Sequence, residues 1–184
     1  TNGPLKPGPK FLTAVFVSFN PVYEGDTTTS TDTLHVTKEN AIVRIDNSDG
    51  YFTVNPTTYK GMVWFRANVS DTNDVPLGGR GDIRNATVQF LDGSSYPSSP
   101  INGSRNVGLL DPNDKTRGQA LLSFEYQLNN TEIASGGKSW LVWAQANNYY
   151  TGYDNSDMNI VTLGLPGSEF VTGGRSEEHT SELQ

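Results

Sequence analysis

GMVWFRANVSD, residues 61–71, alternates with a period of two: Val63, Phe65, Ala67 and Val69 fall on one face, and Met62, Trp64, Arg66 and Asn68 on the other. Such alternation belongs to an extended strand, whose successive side chains point to opposite faces of a sheet, one dry and one wet. A helix would place its apolar residues at spacings of three and four, and no segment of the chain offers that period convincingly. The same design recurs outward from this stretch. NATVQFLD groups Ala86, Val88 and Phe90, and GQALLSFEYQL groups Ala120, Leu122, Phe124, Tyr126 and Leu128. SWLVWAQANNYY sends Trp140, Val142, Ala144 and Ala146 inward and Leu141, Trp143 and Gln145 outward. AIVRID and YFTVN precede residues 61–71, separated by DNSDG, whose Asn, Asp and Gly tolerate turn dihedrals. NIVTLGL closes the series before Pro166.

From Ala41 to Pro166 these runs make about seven short strands, the number of an immunoglobulin-like sandwich. The expected fold class is therefore all-β, an Ig-like β-sandwich over residues 41–166. Upstream, FLTAVFVSF and TLHVT read as two further strands, too few for a sandwich of their own. Residues 1–37 are expected to be the C-terminal remnant of a preceding Ig-like β domain, 38–40 (KEN) a linker, and 167–174 the start of a following segment. The last stretch, RSEEHTSELQ at 175–184, reads back through the genetic code as a common short-read sequencing adapter and is expected to be a non-native tail.

The chain carries 13 Lys and Arg against 20 Asp and Glu, a net charge of −7, with no stretch of clustered basic residues. That argues against nucleic acid as a partner, because phosphate binders draw most of their affinity from such clusters. No run of eighteen or more apolar residues occurs, so no membrane span is expected. Cysteine is absent, which leaves the redox compartment open. The N-x-S/T sequons at Asn68, Asn85, Asn102 and Asn129 read as chance in an Asn- and Thr-rich chain.

Some stretches invite a chemical reading. Asp46/Asp49, Asp71/Asp74, Asp111/Asp114 and Asp154/Asp157 are acid pairs at one repeated separation, with Asn or Ser nearby. Hard oxygen ligands of this kind suit calcium, and Asp46, Asp49, Asp71 and Asp74 are the candidate metal ligands. The competing reading is that Asp and Asn are good turn formers. Tyr149, Tyr150 and Tyr153 share one expected loop and are candidate ligands for a glycan, since large amphipathic rings stack on sugars. Trp64 and Trp143 face outward from strands expected in opposite sheets, so they should not share a platform. Arg80, Gly81 and Asp82 spell RGD, a tripeptide that integrin-type receptors read, although the stretch also serves as a glycine-rich turn before NATVQFLD. His35, in TLHVT, has no serine or acid at triad spacing in its neighbourhood, and no pair of carboxylates stands out as glycosidase-like. No catalytic residue is expected.

A resemblance joins these readings. YEGDTTTSTDTLHVTKENA is similar to the end of a bacterial Ig-like repeat, where a Y-x-G-D…V-T-K ending leads into the next module. GDIRNATVQFLD, LLDPNDKTRGQALLSF and NYYTGYDNSDMNIVTLGLPGSEFVTGG resemble, in that order, the module that follows in large secreted or surface-anchored bacterial proteins. The likeness covers most of residues 22–174 and lapses at SSYPSSPINGSR, Ser94 to Arg105. It implies a non-catalytic structural or adhesive extracellular module, with neighbouring Ig-like domains of the same chain, and a surface glycan or protein, as partners. The alternative is an accessory carbohydrate-binding module of a secreted enzyme.

Overall fold

The structure is a computed structural model that describes residues 5–12, 15–16, 26–27, 32–46, 50–72, 81–153 and 158–167. Near the N-terminus β1 (Gly8–Leu12), β2 (Val15–Phe16), β3 (Asp26–Thr27) and β4 (Asp32–Val36) pair antiparallel, β1 with β4 and β2 with β3. FLTAVFVSF thus contributes to two separate ladders. Phe11, on β1, is exposed.

The rest of the chain continues with β5 (Glu39–Ile45), β6 (Tyr51–Thr53), β7 (Lys60–Asp71), a 3-10 turn (Ile83–Asn85) and β8 (Ala86–Asp92). After these come β9 (Ser99–Pro100), β10 (Arg105–Asn106), β11 (Gly108–Asp111), β12 (Asp114–Gln127), α1 (Asn130–Ala134), β13 (Gly137–Asn148), β14 (Tyr150–Tyr153) and β15 (Asn159–Gly164). The fold is an all-β sandwich. One layer runs β5-β7-β12-β11, antiparallel throughout. The other has β8 and β13 at its centre, with β9 and β10 on the far side of β8, and β15 on the far side of β13.

The layers join along one side. β14 pairs antiparallel with β13 and, at Tyr150↔Glu39 and Thr151↔Asn40, in parallel with β5. Glu39 and Asn40, expected as linker, are therefore the first residues of β5. Their pairing uses backbone groups, which their polar side chains do not announce. β6 pairs in parallel with β15, so the segment containing β5 and β6 touches both layers. The seam needs Gly152, because a Cβ there would lie 1.8 Å from the Ala41 carbonyl oxygen.

The alternating sets line the interior as their spacing requires. Val63, Phe65, Ala67, Val69, Ala86, Val88, Phe90, Ala120, Leu122, Trp140, Val142, Ala144 and Ala146 are all buried. Phe65 of one layer meets Phe90 and Trp140 of the other at ring separations of 5.9 and 6.1 Å. Each such ring removed from water contributes about 1.5–3 kcal/mol, which drives the two sheets together. Phe124 and Tyr126 lie at one end of the interior, only partly buried, edge-on to Trp140.

Two features run against the sequence expectation. α1 is a helix where none was expected. Its five residues are too short for a period, and a reciprocal cap holds it: Asn129 accepts from the Glu132 N–H while Glu132 accepts from the Asn129 N–H. β11, a further strand, leads into β12 through a tight turn at Pro112 and Asn113, where the Asp111 carboxylate accepts the Asn113 N–H at 2.9 Å. Among the described residues no helix is long and apolar enough to cross a membrane.

Candidate functional site

The outer face of the β8–β13 layer carries an aromatic cleft. Trp143 is placed there by the alternation that buries Val142 and Ala144. The β13–β14 hairpin, which turns at Asn148 with φ of 71°, pairs Tyr153 with Gln145. That register sets Tyr153 diagonally beside Trp143 on one face. Their ring centroids are 6.2 Å apart and their planes 65° apart, so the two rings form a corner and not a flat platform. The loop between β8 and β9 closes the cleft: Ser98 accepts a hydrogen bond from the Trp143 indole N–H at 3.3 Å, and Tyr96 stands at the rim almost wholly exposed. Gly93, Ser94, Ser95 and Met158 complete a cleft of about 430 Å³. Among the described residues no Asp, Glu, Lys or Arg lines it. Its chemistry is that of aromatic faces and serine hydroxyls, suited to an uncharged, hydroxyl-rich ligand.

The structure divides the three tyrosines expected to act together. Tyr153 is exposed and belongs to this cleft. Tyr149 is half-buried against the core. Tyr150 is 1% exposed and offers no surface to a sugar. Adjacent residues of an extended segment point to opposite faces, so a loop reading could not separate them. The Tyr150 hydroxyl donates to Asp71 Oδ2 at 3.2 Å, which also accepts the Gly81 N–H at 2.8 Å. Burial, reinforced by the Glu39 and Asp71 carboxylates, pushes the Tyr150 hydroxyl well above the usual tyrosine range. This network ties the start of β14 to the end of β7. It is structural in character.

Of the four candidate metal ligands, the two described ones, Asp46 and Asp71, have separate partners. Asp46 hydrogen-bonds the Asn68 amide at 3.1 Å and pairs with Arg66 at 3.4 Å, whereas Asp71 is held by Tyr150 and Gly81. Asp46 lies opposite Arg66, at the other end of the β5–β7 ladder from Asp71. At about 3.3 Å per residue the five-residue offset along β7 separates them by roughly 16 Å. Asp49 and Asp74 lie outside the described residues, as do Asp154 and Asp157. Asp111 and Asp114 act as turn formers, the latter accepting the Thr116 N–H at 2.9 Å. Among the described residues no group of three or more His, Cys, Asp and Glu gathers to hold a metal ion.

Of the RGD tripeptide, Arg80 lies outside the described residues. Asp82 caps the 3-10 turn and is clamped by Arg84, whose Nε donates to both carboxylate oxygens at 2.9 and 3.1 Å. The Arg84 hydrogen bond holds the Asp82 carboxyl below its ordinary value. A carboxylate so engaged is not presented to a receptor. His35 is exposed on β4.

The Trp143 site was only half legible. The alternation in SWLVWAQ turns Trp143 outward, but its meeting with Tyr153 depends on the hairpin register, and its meeting with Ser98 and Tyr96 on a loop without periodicity. Compared with known protein families and with curated protein sequences, the chain matches none.

Proposed function

We propose that the chain is a non-catalytic Ig-like module of a tandem-repeat extracellular bacterial surface protein, acting as spacer and adhesive unit. The observation that carries this reading is the strand order. Taken in chain order, β5, β7, β8, β11, β12, β13 and β15 can be matched to strands A to G of an immunoglobulin-like sandwich, A-B-E-D in one layer and C-F-G in the other, which supports the reading. β6 then continues strand A across to G. A sandwich of this kind presents its loops and outer faces while its rigid core bears load, which suits a spacer.

A second reading is favoured by one feature, the aromatic and serine-lined cleft of Trp143 and Tyr153. It would make the chain an accessory carbohydrate-binding module of a secreted enzyme. Affinity electrophoresis of the full chain through gels containing neutral polysaccharides separates the two. Unretarded migration in every gel favours the spacer reading, and retardation abolished by Trp143→Ala favours the accessory module. Turnover of a glycan or peptide substrate by the purified chain would overturn both.

A further inference from the structure

The outer face of the opposite layer carries a hollow of different chemistry. In the register of β5, β7 and β12, Ile42, Ser70 and Arg117 form one cross-strand row, and Arg44, Asn68 and Gln119 form the next row on the same face. Leu110, on β11, closes the end of the first row. Ser70 is the short side chain in the middle of long ones, and a hollow of about 490 Å³ opens over it. Arg117 is the direct neighbour of Ser70 and Arg44 its diagonal neighbour, about 7–8 Å away between α-carbons. Both guanidinium groups therefore reach the same hollow from opposite sides.

Neither arginine makes an ion pair among the described residues. That is notable in a chain with 20 acids against 13 bases. The described aspartates on or next to these strands are otherwise engaged: Asp46 by Arg66 and Asn68, Asp71 by Tyr150 and the Gly81 N–H, and Asp111 and Asp114 by their own turns. A pair of guanidinium forks with no carboxylate partner among the described residues matches carboxylates in charge and in bidentate geometry. The other polar groups facing the hollow are the neutral Asn68 and Ser70, which suit hydroxyls. Among the described residues Ile42 and Leu110 are its exposed large apolar walls, too few to anchor a protein interface.

We propose that this hollow is a binding site for a carboxylate-bearing oligosaccharide of the uronic-acid type, with Arg44 and Arg117 gripping the carboxylates and Asn68 and Ser70 the ring hydroxyls. The site lies on the layer that does not carry Trp143, and it stands whether or not the aromatic cleft binds sugar.

The test is calorimetric titration of the full chain with oligogalacturonate and with the same oligosaccharide methyl-esterified, which removes the charge and keeps the rings. Oligogalacturonate should bind and weaken with added salt, and the ester should not bind. Arg44→Gln and Arg117→Gln should each weaken binding at least about tenfold, the effect of one charge-assisted hydrogen-bonding group. Their melting temperatures should match the parent's, because both side chains are exposed. Trp143→Ala should leave this binding unchanged, so that failure of the aromatic cleft is read separately. Equal binding of the ester, parent-like affinity in both arginine variants, or no binding of oligogalacturonate would overturn the proposal. So would a polyglutamate peptide that binds as tightly with the same arginine dependence, since the occupant would then be an acidic protein segment.

Discussion

At the scale of single residues, the buried hydroxyl of Tyr150 makes the clearest claim. Its acid form is favoured in the folded chain, with a pKa raised above the unfolded value near ~10. Above that pH the unfolded chain binds fewer protons than the folded one, so stability is intact below about pH 10 and declines as pH rises beyond it. Urea unfolding across pH 8–11 should show this decline. Tyr150→Phe should be less stable at pH 8, having lost its bond to Asp71, and should show a shallower decline. An equal alkaline slope in both chains would remove Tyr150 as its source. The faces of the strands give a second expectation. Phe65→Ala and Trp140→Ala should each cost about 3–5 kcal/mol by leaving cavities between the layers. Trp143→Ala, which opens onto solvent, should cost much less in the same denaturation series. Equal losses would mean that the inward and outward faces are misassigned.

At the scale of elements, the seam between β5 and β14 is the joint on which the two layers depend along that side. Gly152→Val would drive its side chain into the Ala41 backbone, and backbone cannot step aside as a flexible side chain can. A loss of about 1–3 kcal/mol is expected from such overpacking. Hydrogen exchange should speed first at the Glu39 N–H, which donates to the Tyr149 carbonyl at 3.0 Å. Unchanged protection at Glu39 would count against the seam. The long strands were legible because a sandwich strand encodes its own two faces: the alternation in GMVWFRANVSD and SWLVWAQ names the buried residues before any partner is known. β9, β10, β11 and β14 were not, since two to four residues carry no period. Asp46 and Asp71 illustrate the opposite case. The spacing of their pairs was plain, yet direction and distance in space decided that Asp46 meets Arg66 and Asp71 meets Tyr150. Tyr153 found Trp143 by hairpin register, and Arg44 found Arg117 only through the strand between them.

At the scale of the whole molecule, the central claim is that one sandwich stands as a module by itself. Its core closes within residues 41–163, with aromatic contacts running between the layers, while among the described residues β1 pairs with β4 and β2 with β3. A spacer or adhesive unit requires this independence, because each module of an array must hold its own fold. The outer faces then carry the aromatic cleft at Trp143 and the arginine hollow at Arg44 and Arg117. The direct measurement is thermal unfolding of a chain comprising residues 39–167, followed by far-UV circular dichroism and compared with the full chain. The account predicts a single cooperative transition with a midpoint within about 2 °C of the full chain's, a shift well under the ~4 °C expected of 1 kcal/mol lost from a small domain. Absence of a cooperative transition, or a midpoint lowered by many degrees, would mean that the first 38 residues belong to the same folding unit and would contradict the account.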